Sequence, residues 1–152
     1  MSTASREYLL ECWGSTERAL RWLERSYRLA SRPPYETASE EDWDQLEALS
    51  GRFARLADLV IHKLFRALDR HEFEATGSLL DAANRAVKRG LTGSVDELRE
   101  LKDLRNEIVH EYAVEDLPAL YAEIYRATPE LISLVGRIRE YLKETHGIGS
   151  GK

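Results

Sequence analysis

At 152 residues, with 43% apolar and 32% charged side chains, the chain suits one folded domain with a core of its own. Acidic residues outnumber basic ones 27 to 22, for a net charge of −5, which argues against a general nucleic-acid coat but leaves room for a local basic cleft. A single cysteine, Cys12, excludes a disulfide framework, no apolar run nears the ~18 residues of a membrane span, and the first ten residues lack signal-peptide form, so a cytoplasmic location without a membrane partner is expected.

The first helix is expected over residues 5–30, where Leu9, Trp13, Thr16, Leu20, Leu23, Tyr27 and Ala30 alternate in steps of four and three. Pro33 and Pro34 stop it. After a linker at 35–39, Ser39 and Asp42 form a capping box for a second helix over 40–70, with a bend expected at Gly51. Its core stripe is Leu49, Phe53, Leu56, Val60 and Leu64, widened by Ala57, Ile61, Phe65 and Leu68. Arg52, Arg55, Lys63, Arg66 and Arg70 fall roughly along the opposite face. Two readings of these cations stay open, a plain solvated surface or a ridge that guides RNA phosphates.

Thr76 or Ser78 caps a third helix ending near Arg89, with Leu79, Leu80, Ala83, Ala86 and Val87 as its apolar face and Gly90 where a left-handed residue is wanted. Ser94 and Glu97 open a fourth helix with a core stripe of Val95, Leu98, Leu101, Leu104 and Ile108. Asp116 caps a fifth, in which Leu117, Tyr121, Ile124, Thr128, Leu131, Val135, Ile138 and Leu142 alternate by four and three. Pro129 predicts a kink or break near residues 127–129. The fold class is therefore all-α, an antiparallel four-helix bundle with an additional short helix, in one domain over 1–146 followed by a disordered tail at 147–152.

One stretch of the fourth helix departs from a plain amphipathic pattern: Arg105, Asn106, Glu107, Ile108, Val109, His110, Glu111 and Tyr112. Arginine is a permanent fork-shaped cation suited to phosphate oxygens, histidine exchanges a proton near neutrality, and tyrosine carries a modifiable hydroxyl. On an ideal helix five residues advance about 140° and about 7.5 Å, so Arg105 and His110 do not share a face, whereas Asn106 and His110 do. A site using both Arg105 and His110 is easier to build when a second copy of the helix crosses a two-fold axis. Val109, off the centre of the core stripe, is free to face such a partner. Against these roles, a histidine near a helix C-terminus can simply serve the dipole, and Glu107 and Glu111 would repel RNA. His62, His71 and His146 make no metal-ligand spacing and read as structural or exposed, and Cys12 reads as packed.

The octet resembles the R-x4-H-x-Y motif of the HEPN superfamily, and more narrowly that of the HepT-like toxins encoded beside a minimal nucleotidyltransferase. Asn106 fits the commonest form of that motif, R-N-x-x-x-H-x-Y. The likeness is close over these eight residues and extends elsewhere only to length and all-helical layout. It implies a HEPN-like fold, a homodimer, and a metal-independent endoribonuclease with Arg105 and His110 catalytic and Asn106 supporting. It further implies a type VII-like toxin–antitoxin system, in which the nucleotidyltransferase antitoxin silences the toxin by transferring AMP to Tyr112. Transfer RNA is the substrate the likeness suggests, with no cofactor, metal or DNA involved. The alternative is a nucleotide-binding accessory subunit of the nucleotidyltransferase, with the same residues as ligands.

Overall fold

The computed structural model describes residues 3–72, 74, 77–110 and 116–149. Helix α1 spans Thr3–Leu29, α2 spans Glu40–Asp58, α4 spans Leu79–Lys88, α5 spans Val95–Val109 and α6 spans Leu117–His146. Between α2 and α4, a π-helical segment, Leu59–Leu64, runs straight on into α3, Phe65–His71. Counting α2, the π segment and α3 as one rod, the described residues form five helical rods and no strand.

Four long rods alternate in direction. Tyr27 near the end of α1 stacks on Tyr125 near the start of α6, while Ser5 at the start of α1 meets His71 at the end of α3. Trp43 at the start of α2 meets Tyr121 at the start of α6, so those two rods run parallel. The seams expected along α1 and α6 are buried: Leu9, Trp13, Thr16, Leu20 and Leu23 on one, and Tyr121, Ile124, Thr128, Leu131, Val135, Ile138 and Leu142 on the other. Burying each of these larger side chains contributes about 1.5–3 kcal/mol, and this apolar spine holds the rods together.

Several local features differ from expectation. The second helix runs unbroken through Gly51. Its irregularity is the π segment eight residues later. Pro129 does not break α6, which is continuous from Leu117 to His146. Pro129 is itself exposed, while Thr128 before it and Leu131 after it are buried and keep the helix on the core. On α4 only Ala83 and Ala86 are fully buried, and Leu80, expected on its apolar face, is exposed. Ser78 makes the cap, while Thr76 lies outside the described residues. Tyr35, expected in a linker, is buried and donates to the Ser31 carbonyl, and burial pushes its hydroxyl up to about 12. Gly147, with φ 67°, ends α6 in a left-handed turn in which the Ile148 N–H reaches the Leu142 carbonyl. Ile148 is buried, so the tail expected from residue 147 is packed through Ile148, and residues 150–152 lie outside the description.

The short α4 is fastened at one end of the bundle by charge. Arg85 donates to Asp69 at 3.0 Å, and Arg89 reaches Asp69 at 2.8 Å and Glu72 at 2.9 Å. Glu72 also accepts from the Tyr141 hydroxyl and contacts His146 Nε2, each at 2.6 Å. His71 and His146, far apart in the chain, meet edge to face with ring centroids 4.9 Å apart.

Candidate functional site

Helix α5 carries the residues of interest. Ser94 Oγ accepts from the Glu97 N–H, as expected of a cap. The Glu97 carboxylate does not complete the box on Ser94. It accepts instead from the Gly93 N–H and from the Thr92 hydroxyl, at 3.2 and 2.6 Å. These two bonds hold the Glu97 carboxyl below the usual carboxylate range. Leu98, Leu101, Leu104 and Ile108 then bury the inner face of α5 and set its rotation.

That rotation places Arg105 on the flank facing α2. Its Nη2 donates to Asp58 Oδ2 at 2.9 Å, and its Nη1 donates to Asn106 Oδ1 at 3.1 Å. Nε lies 2.6 Å from Asp58 Oδ1, an ion-pair contact out of line for a hydrogen bond. The guanidinium is thereby gripped from two sides while remaining 29% exposed. Asp58 is the last residue of α2, immediately before the π segment.

His110 stands just past the last turn of α5 as its C-cap, with φ −107° and ψ 28°, and its N–H reaches the Asn106 carbonyl. The side chain is exposed, as is that of the preceding Val109, 46% of whose surface is open. Asn106 is therefore the hinge of the set, since its side chain braces Arg105 and its carbonyl receives His110. Tyr112 lies outside the described residues. The electrostatics around the outer side of α5 are acidic: a groove between α5 and α6 is lined by Glu100, Asp103, Glu107, Glu123 and Glu130 against one arginine, Arg126.

The five cations of the second helix divide into two groups. Arg52 and Arg55 line a groove between α1 and α2, and Arg52 also donates to Ser26 at 2.7 Å. Lys63, Arg66 and Arg70 are exposed beyond the start of the π segment, and the Arg70 guanidinium lies 5.3 Å from the Tyr8 ring centroid. Burial pushes the Cys12 thiol up, against the pull of a Tyr8 hydrogen bond and the Lys63 charge, which suits a packed residue. Among the described residues, no three His, Cys, Asp or Glu side chains are grouped to hold a metal ion, and no helix is long and apolar enough to cross a membrane.

Sequence reasoning missed Asp58, because nothing in the chain marks an aspartate 47 residues upstream as the partner of Arg105. It also missed Arg18 and Trp22, which line the α1–α2 groove. Trp22 did carry a signal, being a large aromatic displaced from the buried seam of α1. Comparison with known protein families, with curated proteins and with solved structures found no match.

Proposed function

We propose that the chain is a HEPN-like endoribonuclease of the HepT type, the toxin of a type VII-like HEPN/MNT pair. The observation that carries this reading is a fixed arginine and an exposed histidine linked through Asn106 at the end of one helix. Arg105 is gripped by Asp58 and Asn106, with His110 one turn beyond Asn106 at the open end of α5. The eight-residue motif around it supplies the family resemblance.

The chemistry needs no metal. The RNA 2′-hydroxyl attacks the adjacent phosphorus while His110 takes its proton, the protonated His110 gives a proton to the departing 5′-oxygen as the P–O5′ bond breaks, and the strand ends as a 2′,3′-cyclic phosphate and a 5′-hydroxyl. Arg105 neutralises charge on the phosphorane, where a pre-placed cation acts most strongly. Asn106 is a positioning residue through its bond to Arg105. A homodimer would bring Arg105 of one copy towards His110 of the other, and the open Val109 side chain supports a contact there. AMP transfer to Tyr112 by the nucleotidyltransferase partner would add negative charge beside His110 and repel RNA.

Two observations favour the second reading, a nucleotide-binding accessory subunit of the nucleotidyltransferase. The acidic groove beside α5 and the carboxylate already on Arg105 both lower the positive potential offered to RNA. Induced expression of the parent and of His110→Ala in a host lacking the partner decides between the two. Growth arrest with RNA fragmentation by the parent alone, at equal protein levels and in lysates containing excess EDTA, is the expected outcome. Harmless expression of both with intact RNA would move the assignment to the accessory subunit.

A further inference from the structure

A groove of about 840 Å³, lined by neither Arg105 nor His110, lies between α1 and the outer face of α2. Arg18 and Trp22 enter it from α1, and Glu47, Gly51, Arg52 and Arg55 from α2. Three arginines against one glutamate make it basic, in a chain whose net charge is −5 and whose α5–α6 groove is acidic.

Trp22 is 55% exposed, the most open of the large apolar side chains among the described residues. The Arg52 guanidinium lies over one face of the ring, 4.9 Å from its centroid, and is tied to Ser26, so Arg52 braces the ring while the residue keeps much of its surface open. Gly51 forms part of the floor. A Cβ there would meet nothing within 4 Å, so glycine weakens the helix relative to alanine and leaves the groove deep.

We infer that this groove is a nucleoside-phosphate site, in which Trp22 stacks a base and Arg18 and Arg55 hold the adjoining phosphate. Every base offers a π-face, and an aromatic platform beside cations is the physical basis of single-strand binding. Glu47, two turns before Arg55 on α2, can accept from an exocyclic amine while repelling phosphate towards the arginines. An RNA strand and a free nucleotide share this chemistry. The strand form rests on the ribonuclease proposal, and Leu59 at the groove edge directly follows Asp58, the partner of Arg105.

A labelled 2′-O-methyl oligonucleotide lacks the attacking hydroxyl, so its fluorescence anisotropy reads binding whether or not the protein cleaves RNA. Trp22→Ala is expected to weaken binding about five- to a hundredfold. Arg18→Gln with Arg55→Gln should weaken it and reduce the salt slope by about 1.4. Gly51→Leu fills the floor while favouring helix, and should weaken binding at equal or higher thermal stability. Leu80→Ala, on the exposed side of α4 and outside both sites, should bind like the parent. If the parent binds through Trp22 yet cuts no RNA, the ribonuclease reading fails and the groove assignment stands. Competition with AMP identifies the source: displacement only far above the oligonucleotide Kd means a strand, and displacement at comparable concentration means a free nucleotide. Unchanged affinity in both Trp22→Ala and Gly51→Leu overturns the inference. So does a change in molecular mass by light scattering with RNA affinity intact, which would make the groove a protein contact.

Discussion

Replacing Asp58 and Arg105 with alanine, singly and together, distinguishes a held catalytic cation from an ion pair that serves only the fold. The two side chains are 39% and 29% exposed, so water screens much of their attraction. Exposed pairs contribute about 0.2–1 kcal/mol, and the two-point contact sets this one near the upper end, about 1 kcal/mol. Each single variant should lose about that much, or about 2–4 °C in Tm for a chain of this length. The double variant should lose scarcely more, leaving a coupling of about 1 kcal/mol in the cycle. Urea unfolding followed by circular dichroism measures all four proteins under one set of conditions. A coupling within about 0.3 kcal/mol of zero would refute the pairing. RNA cleavage by the same four proteins supplies the second axis. Arg105→Ala should lose at least about 100-fold with its phosphorane partner gone. Asp58→Ala, which frees the guanidinium without removing it, should lose about tenfold. Unchanged cleavage in Arg105→Ala would make the arginine purely structural.

Other consequences are equally open to measurement. Asp69→Ala strands the buried Arg89 with Glu72 as its remaining carboxylate, and should cost about 3 kcal/mol in urea unfolding; a loss below about 1 kcal/mol would contradict the burial of that pair. Pro129→Ala restores a backbone donor inside the unbroken α6 and should raise the Tm, whereas a lower Tm would mean that the proline's shape is needed there. Burial, aided by His146 and Arg6, holds the His71 imidazole below its ordinary value. The folded chain therefore binds that proton less readily than the unfolded chain, and stability should fall as pH drops below about 6.5. His71→Gln should flatten this decline in melts between pH 7.5 and 5, and a parent Tm that is flat across that range would oppose the assignment. Burial alone would raise Glu72, but hydrogen bonds from Tyr141 and His146 and the charge of Arg89 outweigh it and hold the carboxyl below its usual range. Its contribution is therefore complete above about pH 4.3 and lost only on further acidification, whereas the His71 decline starts near pH 6.5.

Rods were legible in the chain wherever one face repeated. The steps of four and three along α1 and α6 predicted their buried residues, and Ser39, Ser78, Ser94 and Asp116 marked the helix starts. Periodicity carries no information about which charged residues meet across helices. Asp58 with Arg105, and His71 with His146, depend on the relative rotation and height of two rods, which hundreds of small packing contacts decide together. The π segment did leave a trace. Leu56, Val60, Leu64 and Leu68 recur every four residues, as do Ala57, Ile61 and Phe65. On a regular α-helix each such step drifts by about 40°, so the row would wind off the core unless a wider turn absorbed the drift. Leu80 shows the converse, an apolar residue in a helix too short and too peripheral to bury its whole face. At the candidate site the motif residues were readable as chemistry, but the carboxylate that holds Arg105 was not.

The π segment also acts as a gear between the two ends of the second rod. Upstream of it, α2 must aim Asp58 at α5 and keep Gly51 and Arg55 in the groove beside α1. Downstream, α3 must turn Asp69 and His71 inward to meet Arg89 and His146. Winding Leu59–Leu64 as an ordinary α-helix with all six residues kept would rotate everything beyond it by about 100°. Either the grip on Arg105 or the buried charge cluster could then stay in phase with the core, but not both. Six residues of irregular helix thus set the timing between the two halves of the bundle, although none of them belongs to the motif at Arg105.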